Sequence, residues 1–415
     1  MTGVLAGVKV VEFAQNAAVP HCGRLLAGMG AEVVKVEPPY GDAMRNGVKI
    51  APHEAKAFAV INPGKRGIVI DLANEEARPV VDRLFAWADV ALVGFKLGDL
   101  ARYGIDWEHA RTVNPQLVHM THTPFGPHGP HAEVGGYDVL VQGWSGSGFY
   151  MNRSEDDTPQ STRPAVFDFS TGMLAALGVV AALRHRDLTG EGQRVDAALL
   201  ATAMSIGTPV VHRFEQDDEL ITEVEGEMAS MRADGLGFGE QRRHYEQRLI
   251  TGAGAFRLYF RHYQTADGLI SVAALSKALA TKFHVALQTE RPDLHEPHTP
   301  EFDAAVSETE ALFRSRTTAE WIDVLRTAGV PCGPYHLPHE ALDDEQVRAN
   351  EFAVDIDHPA FGRYTTSGTP VAFSATPNVE LGPSPGFGQH TGEVMSEIGF
   401  TEAEAEALFE RGVIR

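Results

Sequence analysis

One carboxylate, that of Asp168, occupies a position in the sequence that suits a catalytic group. Asp168 comes at the start of a long apolar segment, residues 168–187, whose composition predicts a helix. A carboxylate in the first turn of a helix is commonly a cap, because the positive end of the helix dipole stabilises its charge. The position also suits a nucleophile, provided that an acyl group lies beside it in a site that excludes water. The local sequence leaves both roles open.

Two glycine-rich runs could bring backbone N–H groups close to a ligand. The first, Val-Gly-Gly-Tyr-Asp at residues 134–138, is followed by Gln142 and by a Ser-Gly-Ser-Gly run at 145–148. A simple turn before the next element is the alternative for this run. The second, Thr-Gly-Ala-Gly-Ala at 251–255, could bind an oxyanion or a phosphate, or act as a flexible joint. It lacks the G-x-G-x-x-G spacing, so we exclude a dinucleotide-binding loop.

Other reactive side chains form no recognisable site. A loop-rich segment carries four histidines, His119, His122, His128 and His131. Their spacing matches no zinc pattern, so we expect no metal site. Ser145 lacks the G-x-S-x-G turn of a serine hydrolase. Cys22 lies in an apolar segment, where core packing is the expected role of its thiol.

Alternating strand and helix patterns must position these residues. Residues 8–13 predict a buried strand, and a helix over 22–31 and a second strand over 32–39 complete a βαβ unit. The alternation continues with a strand over 67–71, a helix over 74–88 and further strands over 89–95 and 117–125. This order predicts a large, doubly wound, Rossmann-like α/β domain with a parallel sheet.

The second half of the chain predicts a smaller domain. Residues 213–250 are rich in charged side chains and poor in periodic apolar ones, which favours a linker. Two strands joined at Asp267-Gly268 and several helices then indicate a small α+β domain over 251–334. The tail 335–415 predicts another helix, a pair of strands near 353–374 and a closing helix.

Composition excludes several classes of protein. The 415 residues carry a net charge of −21, which argues against nucleic acid as a partner. Two cysteines do not make a disulfide framework and favour a reducing compartment. Neither a signal peptide nor an uninterrupted apolar run of about 18 residues is evident, so we expect a cytoplasmic protein without a membrane span.

Five sequence motifs follow one another along the chain in a characteristic order. They are AGMGAEVVKVEPP at 27–39, GGYD at 135–138, DFSTG at 168–172, TGEGQ at 189–193 and GVPCGP at 329–334. Together they resemble the class III CoA-transferase family, which includes formyl-CoA transferase, carnitine CoA-transferase and the α-methylacyl-CoA racemases. The resemblance extends over nearly the whole chain and is weakest at 214–250.

The resemblance implies a domain organisation, an activity and an assembly. A large domain covers 1–212 and is completed by the C-terminal segment 335–415, with the smaller domain between them. Asp168 matches the family's nucleophilic aspartate, which moves CoA from an acyl-CoA donor to a carboxylic acid through an aspartyl anhydride and an aspartyl-CoA thioester. Acyl-CoA is then a substrate, and no tightly bound cofactor is expected. Members of the family form interlocked homodimers in which each chain threads through the other.

The resemblance also implies residues beside CoA. These are Val19, Leu72, Phe95, Arg102, Tyr103 and Tyr137. Ala17, Gly94 and Pro38 depart from formyl-CoA transferase, which has glutamine, asparagine and arginine at the matching positions. We therefore expect an acyl group larger than formyl, although the sequence does not identify the donor or the acceptor.

Two alternatives to transfer stay open. The family's racemases carry a histidine where this chain has Tyr137, and tyrosine is a poor base at neutral pH. This difference favours transfer, although His21 beside Pro20 resembles the racemases. A silent acyl-CoA-binding protein is the second alternative, against which the presence of Asp168 argues. The 251–255 run is a loose counterpart of the mobile glycine loop of some members.

Overall fold

A computed structural model describes residues 3–52, 54–150, 158–207, 212–249, 257–290 and 299–415. The chain divides into two compact units. The first combines Met1–His212 with Glu345–Arg415, and the second is Arg213–Asp344. Residues 335–344 thus fall in the second unit, ten residues beyond the end predicted for the small domain.

A six-stranded parallel sheet forms the centre of the first unit. Its strands are β1 (Lys9–Phe13), β2 (Glu32–Glu37), β5 (Arg66–Val69), β6 (Val90–Val93), β7 (Val118–Thr123) and β8 (Arg194–Ala198). They lie in the order β5-β2-β1-β6-β7-β8, so the winding reverses between β1 and β6. This is the Rossmann strand order. The predicted doubly wound α/β domain is confirmed. A short ribbon of β3 (Lys49–Ala51) and β4 (Glu54–Ala55) lies outside the main sheet.

Helices cover both faces of this sheet. The first unit contains α1 (Ala18–Gly28), α2 (Lys56–Ile61), α3 (Arg78–Trp87), α4 (Leu97–Tyr103), α5 (Trp107–Val113), α6 (Asp138–Trp144), α7 (Val166–Thr189) and α8 (Leu199–Ile206). Buried residues of α1 and α7 form one core with one face of the sheet, whereas those of α3 and α5 form a second core with the other face. Buried strands between two helical layers explain the near-continuous apolar runs in the sequence.

Helix α7 is unusually long and apolar. By length and composition alone, its 24 residues could cross a membrane, with a mean hydropathy of 1.8 in the most apolar stretch. A core helix passes the same test, and α7 packs against α1 and β8. Its outer side exposes an apolar stripe consisting of Met173, Leu174, Leu177 and Val180.

The second unit contains the predicted small α+β fold. An antiparallel sheet joins β9 (Phe260–Gln264), β10 (Leu269–Ala273) and β11 (Cys332–Pro334) in the order β11-β10-β9. Three helices pack in its core, α11 (Lys277–Leu287), α12 (Pro300–Phe313) and α13 (Thr318–Thr327).

The stretch predicted as a linker at 213–250 instead contains α9 (Asp218–Ala233) and α10 (Phe238–Leu249). The apolar periodicity is weak because α9 buries only Val224 and ion pairs connect the two helices. Arg248 pairs with Glu223 at 3.0 Å, and His244 lies 2.7 Å from Glu227. Charged residues that predict a solvated linker therefore serve here as contacts between helices.

The C-terminal segment returns to the first unit. It contains α14 (Glu345–Ala349), an antiparallel pair of β12 (Ala353–His358) and β13 (Gly362–Ser367), α15 (Thr391–Glu397) and α16 (Glu402–Glu410). Buried residues of α15 and α16 join the core formed with α3 and α5. The last 71 residues of the chain thus complete a core that begins at β1.

Substitution of Gly172 by alanine should destabilise the first unit. A Cβ on this α7 residue would lie 2.6 Å from the Ala18 carbonyl oxygen and 3.1 Å from the Cβ of His21, so α1 and α7 would have to separate. We expect a loss of about 1 to 3 kcal/mol in the free energy of unfolding, measured with urea. Gly226→Ala in α9, where a Cβ has no neighbour within 4 Å, should be neutral or stabilising. Equal stability of Gly172→Ala and the native chain would contradict the close helix contact.

Candidate active site

A cavity of about 480 Å³ opens at the carboxyl ends of β1, β6 and β7. Its wall includes the segment after β1 from Gln15 to Val19, the segment after β6 from Gly94 to Leu97, and residues 132–137. Ligands of doubly wound folds bind where the strand order reverses, because the loops there diverge and leave a crevice. The cavity lies at this reversal between β1 and β6.

Asp168 lines this cavity from the first turn of α7. It is not the cap of its own helix. The carboxylate of Asp138 on α6 caps α7 instead, accepting hydrogen bonds from the backbone N–H groups of Phe167 at 2.7 Å and Asp168 at 3.0 Å. The Asp168 carboxylate makes no hydrogen bond or ion pair with any residue that the structure describes. Between the two roles that the sequence left open, the capping role is therefore excluded.

The first glycine-rich run positions the α7 helix. Gln142, one turn after Asp138, donates a hydrogen bond from its amide to the other oxygen of the Asp138 carboxylate. The same amide group donates to the Thr162 hydroxyl at 3.1 Å, and its oxygen accepts from the Thr162 N–H at 3.3 Å. Asp138 and Gln142 are both buried. This network connects α6 to the segment leading into α7 and so fixes the place of Asp168.

Burial and a like charge alter the acidity of the site. Burial raises the pKa of Asp168 to about 6, and the nearby negative charge of Asp138 adds to the effect. At pH 7 the carboxylate is still mostly ionised, at about ten to one. A carboxylate with this pKa is more basic than one in water, and no residue that the structure describes occupies its lone pairs. Both properties favour nucleophilic attack.

Buried charges that sequence reasoning missed hold the loop between β1 and α1. The Lys35 ammonium contacts Glu12 at 3.0 Å and Asp42 at 2.9 Å, and it donates to the Ala14 carbonyl at 2.7 Å. Asp42 in turn accepts from the N–H of Asn16 at 3.2 Å. The loop is fixed at Ala14 and Asn16, so its residues form a rigid cavity wall. Lys35 belongs to the motif at 27–39, and Asp42 follows that motif, but no local pattern shows that they meet the β1 loop.

The predicted CoA contacts divide into two groups. Val19, Phe95 and Tyr137 line the cavity with Asp168. Leu72, Arg102 and Tyr103 lie outside its wall. Phe95 and Tyr103 are in edge-to-face contact with ring centroids 5.6 Å apart, and the Arg102 guanidinium lies 4.4 Å from the Tyr103 ring centroid. Leu72 packs against the core beneath α4.

The remaining candidate residues have separate environments. No cluster that could hold a metal ion occurs among the described residues. The His119 ring is buried and lies within hydrogen-bond distance of the Ile105 carbonyl at 2.9 Å and the Thr121 hydroxyl at 3.2 Å. Cys22 is buried in the core, and burial raises the pKa of its thiol. The 251–255 run lies outside the described residues.

Comparison with known families decides the identity. The sequence model of CoA-transferase family III matches residues 5–391. The chain belongs to this family. The resemblance to class III CoA-transferases is thereby confirmed, and the protein is a family III CoA-transferase.

Two curated relatives show how far the similarity extends. The chain is 27% identical over 423 residues to a formyl-CoA:oxalate CoA-transferase of Rhodopseudomonas palustris strain BisB18, covering 100% of this chain and 98% of the relative. It is 32% identical over 420 residues to a succinate–glutarate CoA-transferase of Agrobacterium fabrum strain C58, covering 97% of each chain. The similarity therefore extends over nearly the full length of this chain and of both relatives.

Solved structures support the same assignment. The crystal structure of Rv3272 from M. tuberculosis has a TM-score of 0.75 at 25% identity, covering 94% of this chain and 99% of that one. A CAIB/BAIF family protein from Brucella suis has a TM-score of 0.73 at 28% identity, covering 96% and 100%. The α/β architecture is therefore shared with other members of this family.

Asp168→Asn should stabilise the protein at neutral pH. The folded pKa of about 6 lies above the unfolded value of 3.8, so ionisation of Asp168 costs stability as the pH rises through this window. We expect the variant to exceed the native chain by about 1 to 3 kcal/mol at pH 8, and by less at pH 4.5. Urea unfolding at several pH values measures the difference.

The exposed Asp323→Asn in α13 serves as the matched control. It should show a difference from the native chain that hardly changes with pH. An Asp168→Asn difference that is equally independent of pH would contradict a desolvated carboxylate at this position.

Proposed function

We propose that the protein transfers CoA from an acyl-CoA donor to a carboxylic acid with Asp168 as the covalent nucleophile. One observation carries this proposal. Asp168 lines the cavity at the strand-order reversal with a carboxylate that is desolvated and has no partner among the described residues. Nothing in helix capping requires this carboxylate, because Asp138 caps α7.

The chemistry proceeds through two anhydrides. The Asp168 carboxylate attacks the thioester carbonyl of the donor, the carbon–sulfur bond breaks, and a mixed anhydride and CoA thiolate result. The thiolate attacks the aspartyl carbonyl, which releases the donor acid and leaves an aspartyl-CoA thioester. The acceptor carboxylate displaces this thiolate, and the thiolate then attacks the acceptor carbonyl and restores the Asp168 carboxylate. Every bond that breaks is replaced, and no redox partner is needed.

We propose that backbone N–H groups at the start of α1 stabilise the negative charge that develops on the oxygen of the attacked carbonyl group. Ala18 and Val19, in the first turn of α1, line the cavity, and the N-cap residue Ala17 provides no side-chain hydrogen bond to this helix. The positive end of the α1 dipole and its first N–H groups therefore lie at the cavity wall. Such donors stabilise the oxyanion that forms when a carboxylate or a thiolate adds to a carbonyl.

The CoA contacts implied by the family follow a route away from Asp168. Phe95 lines the cavity, its ring contacts Tyr103, and Tyr103 contacts Arg102. Arg102 is at the surface, where it pairs with Asp99 at 2.6 Å. We propose that the thioester end of CoA lies beside Val19 and Tyr137, and that its more polar end passes along α4 toward Arg102. A phosphate there would compete with Asp99 for the guanidinium.

We propose an acyl group larger than formyl. Ala17 and Gly94, which replace larger polar residues of formyl-CoA transferase, both line the cavity. Two of the curated relatives are named for oxalate and formyl-CoA and for succinate and glutarate. Higher turnover with formyl-CoA than with longer acyl-CoA donors would exclude this part of the proposal.

Racemisation is less well supported. It requires a second base across the substrate from Asp168. His21 lies in the contact between α1 and α7, with its ring centroid 5.1 Å from that of Phe169, and does not belong to the cavity wall. Burial lowers the pKa of His21 to about 4, which makes it a weak base at neutral pH.

Hydroxylamine trapping tests the covalent step. Acyl-CoA donors of increasing length are mixed with the protein and hydroxylamine, and the peptides are mapped by mass spectrometry. An activated Asp168 carbonyl should be converted to a hydroxamate, and Asp168→Asn should give none. Absence of the adduct with every donor, together with exchange of the α-proton with deuterated solvent, would instead favour the racemase.

We also propose that the protein works as a homodimer, in the interlocked form that its family implies, and in the cytoplasm. The exposed apolar stripe on α7, formed by Met173, Leu174, Leu177 and Val180, supports the dimer because water-exposed apolar stripes of this kind usually mark an interface.

Sedimentation tests this assembly. The native protein should sediment as a dimer of the 45.0 kDa chain. Leu177→Glu should weaken the dimer, since it places a charge in the apolar stripe, whereas Arg184→Ala on the same helix should not. A stable, folded monomer of the native chain would contradict the proposal.

A further inference from the structure

His122 is a cavity residue without an assigned role. It is the last residue but one of β7, and it lines the same cavity as Asp168. Met120 and Val118, two and four residues earlier, pack into the core that includes α7. Side chains alternate between the two faces of a strand, so His122 belongs to the face that α7 covers. The strand and the helix thus bring His122 and Asp168 to one side of the cavity.

The ring of His122 has no hydrogen-bond partner among the residues that the structure describes. Its Nε2 atom is buried and makes no hydrogen bond with the residues that the structure describes. His119, on the opposite face of the same strand, has both ring nitrogens within hydrogen-bond distance of protein atoms. A buried polar atom without a partner costs free energy, and an apolar residue would pack here at lower cost.

Three other polar side chains of the cavity wall each accept a hydrogen bond from a backbone N–H group. The Thr123 hydroxyl accepts from the N–H of Gly126 at 3.1 Å, the Glu133 carboxylate accepts from the N–H of Gly98 at 2.8 Å, and the Gln15 amide accepts from the N–H of Ala43 at 3.3 Å. Each of these contacts orders a cavity segment. His122 makes no such contact, so packing within the chain does not account for it.

We infer that His122 is a specificity-determining residue that donates or accepts a hydrogen bond with an oxygen on the acyl chain, beyond the carbonyl that Asp168 attacks. The inference rests on the proposed function, because it takes the acyl group to lie against Asp168. Burial lowers the pKa of His122 to about 4, so its ring is neutral at pH 7, with one N–H donor and one acceptor nitrogen. A hydroxyl or a second carboxylate on the acyl chain matches either nitrogen.

A neutral donor suits a cavity that already contains an anion. The Asp168 carboxylate is mostly ionised at pH 7, and a cationic imidazole beside it would form an ion pair that weakens its nucleophilicity. A neutral ring binds a substrate oxygen without forming an ion pair with the Asp168 carboxylate. A site built to bind a substrate oxygen in this way discriminates strongly against acyl chains that lack it, because its polar atom then stays unpaired.

Matched donor pairs test the inference. Hydroxybutyryl-CoA is compared with butyryl-CoA, and glutaryl-CoA with pentanoyl-CoA, by the rate of hydroxylamine trapping at Asp168. The native protein should prefer the oxygen-bearing member of at least one pair, and the pair that shows the preference identifies a hydroxyl or a carboxylate as the group bound. His122→Leu should reduce this preference about tenfold to a hundredfold, because it removes both the hydrogen bond to the oxygen-bearing donor and the unpaired polar atom that disfavours the apolar donor.

Two further variants separate substrate contact from structural damage. His122→Gln, which keeps a donor and an acceptor, should retain part of the preference. Leu199→Ala, which changes an apolar wall residue, should alter both members of a pair alike. Equal reactivity of paired donors with the native protein, or an equal loss with both donors in His122→Leu, would overturn the inference. Failure of every donor to label Asp168 in the native protein would overturn the proposed function itself.

Discussion

The arrangement of the site depends on one carboxylate that does no chemistry. Asp138 accepts two backbone N–H groups at the start of α7 and thereby satisfies donors that every helix leaves open. Because a residue from α6 provides the cap, the carboxylate of Asp168 in the first turn is free to point its lone pairs at a ligand. The negative charge of the cap also keeps the pKa of Asp168 high, after the larger effect of burial. One contact therefore sets both the position and the basicity of the reactive group.

The remainder of the cavity wall consists mainly of segments that follow the strands of the sheet. The parallel sheet brings the carboxyl ends of β1, β6 and β7 together, and buried ion pairs around Lys35 hold the first of the loops that leave it. Although burial alone raises the pKa of Glu12, the charges of Lys65 and Lys35 lower it below the usual value, so Glu12 stays ionised. A covalent mechanism with several consecutive attacks at one position needs such a fixed frame, since each reacting atom must reach the same carboxylate.

Sequence reasoning predicted the layers of the fold because buried parallel strands and amphipathic helices have a clear period. It failed for α9 and α10, whose contacts are ion pairs such as that of Arg248 with Glu223 and leave almost no apolar period. The capping role of Asp138 escaped it because the contact joins residues thirty positions apart. His122 was considered only as a metal ligand, and nothing in its neighbours along the chain indicates that its Nε2 atom is buried, without a partner among the described residues, in the cavity that Asp168 lines.

Transfer through two anhydrides requires Asp168 to exchange an oxygen atom with the donor acid and the acceptor acid. In the two-anhydride route, the donor acid leaves with an oxygen from Asp168, and the restored carboxylate keeps an oxygen from the acceptor. Turnover with an acceptor whose carboxylate carries a heavy oxygen isotope should therefore place the label in the peptide that contains Asp168. We expect this increase in the mass of the Asp168 peptide in the native protein after transfer. Labelled acceptor that turns over while the Asp168 peptide keeps its original mass would show that CoA moves without a bond to Asp168.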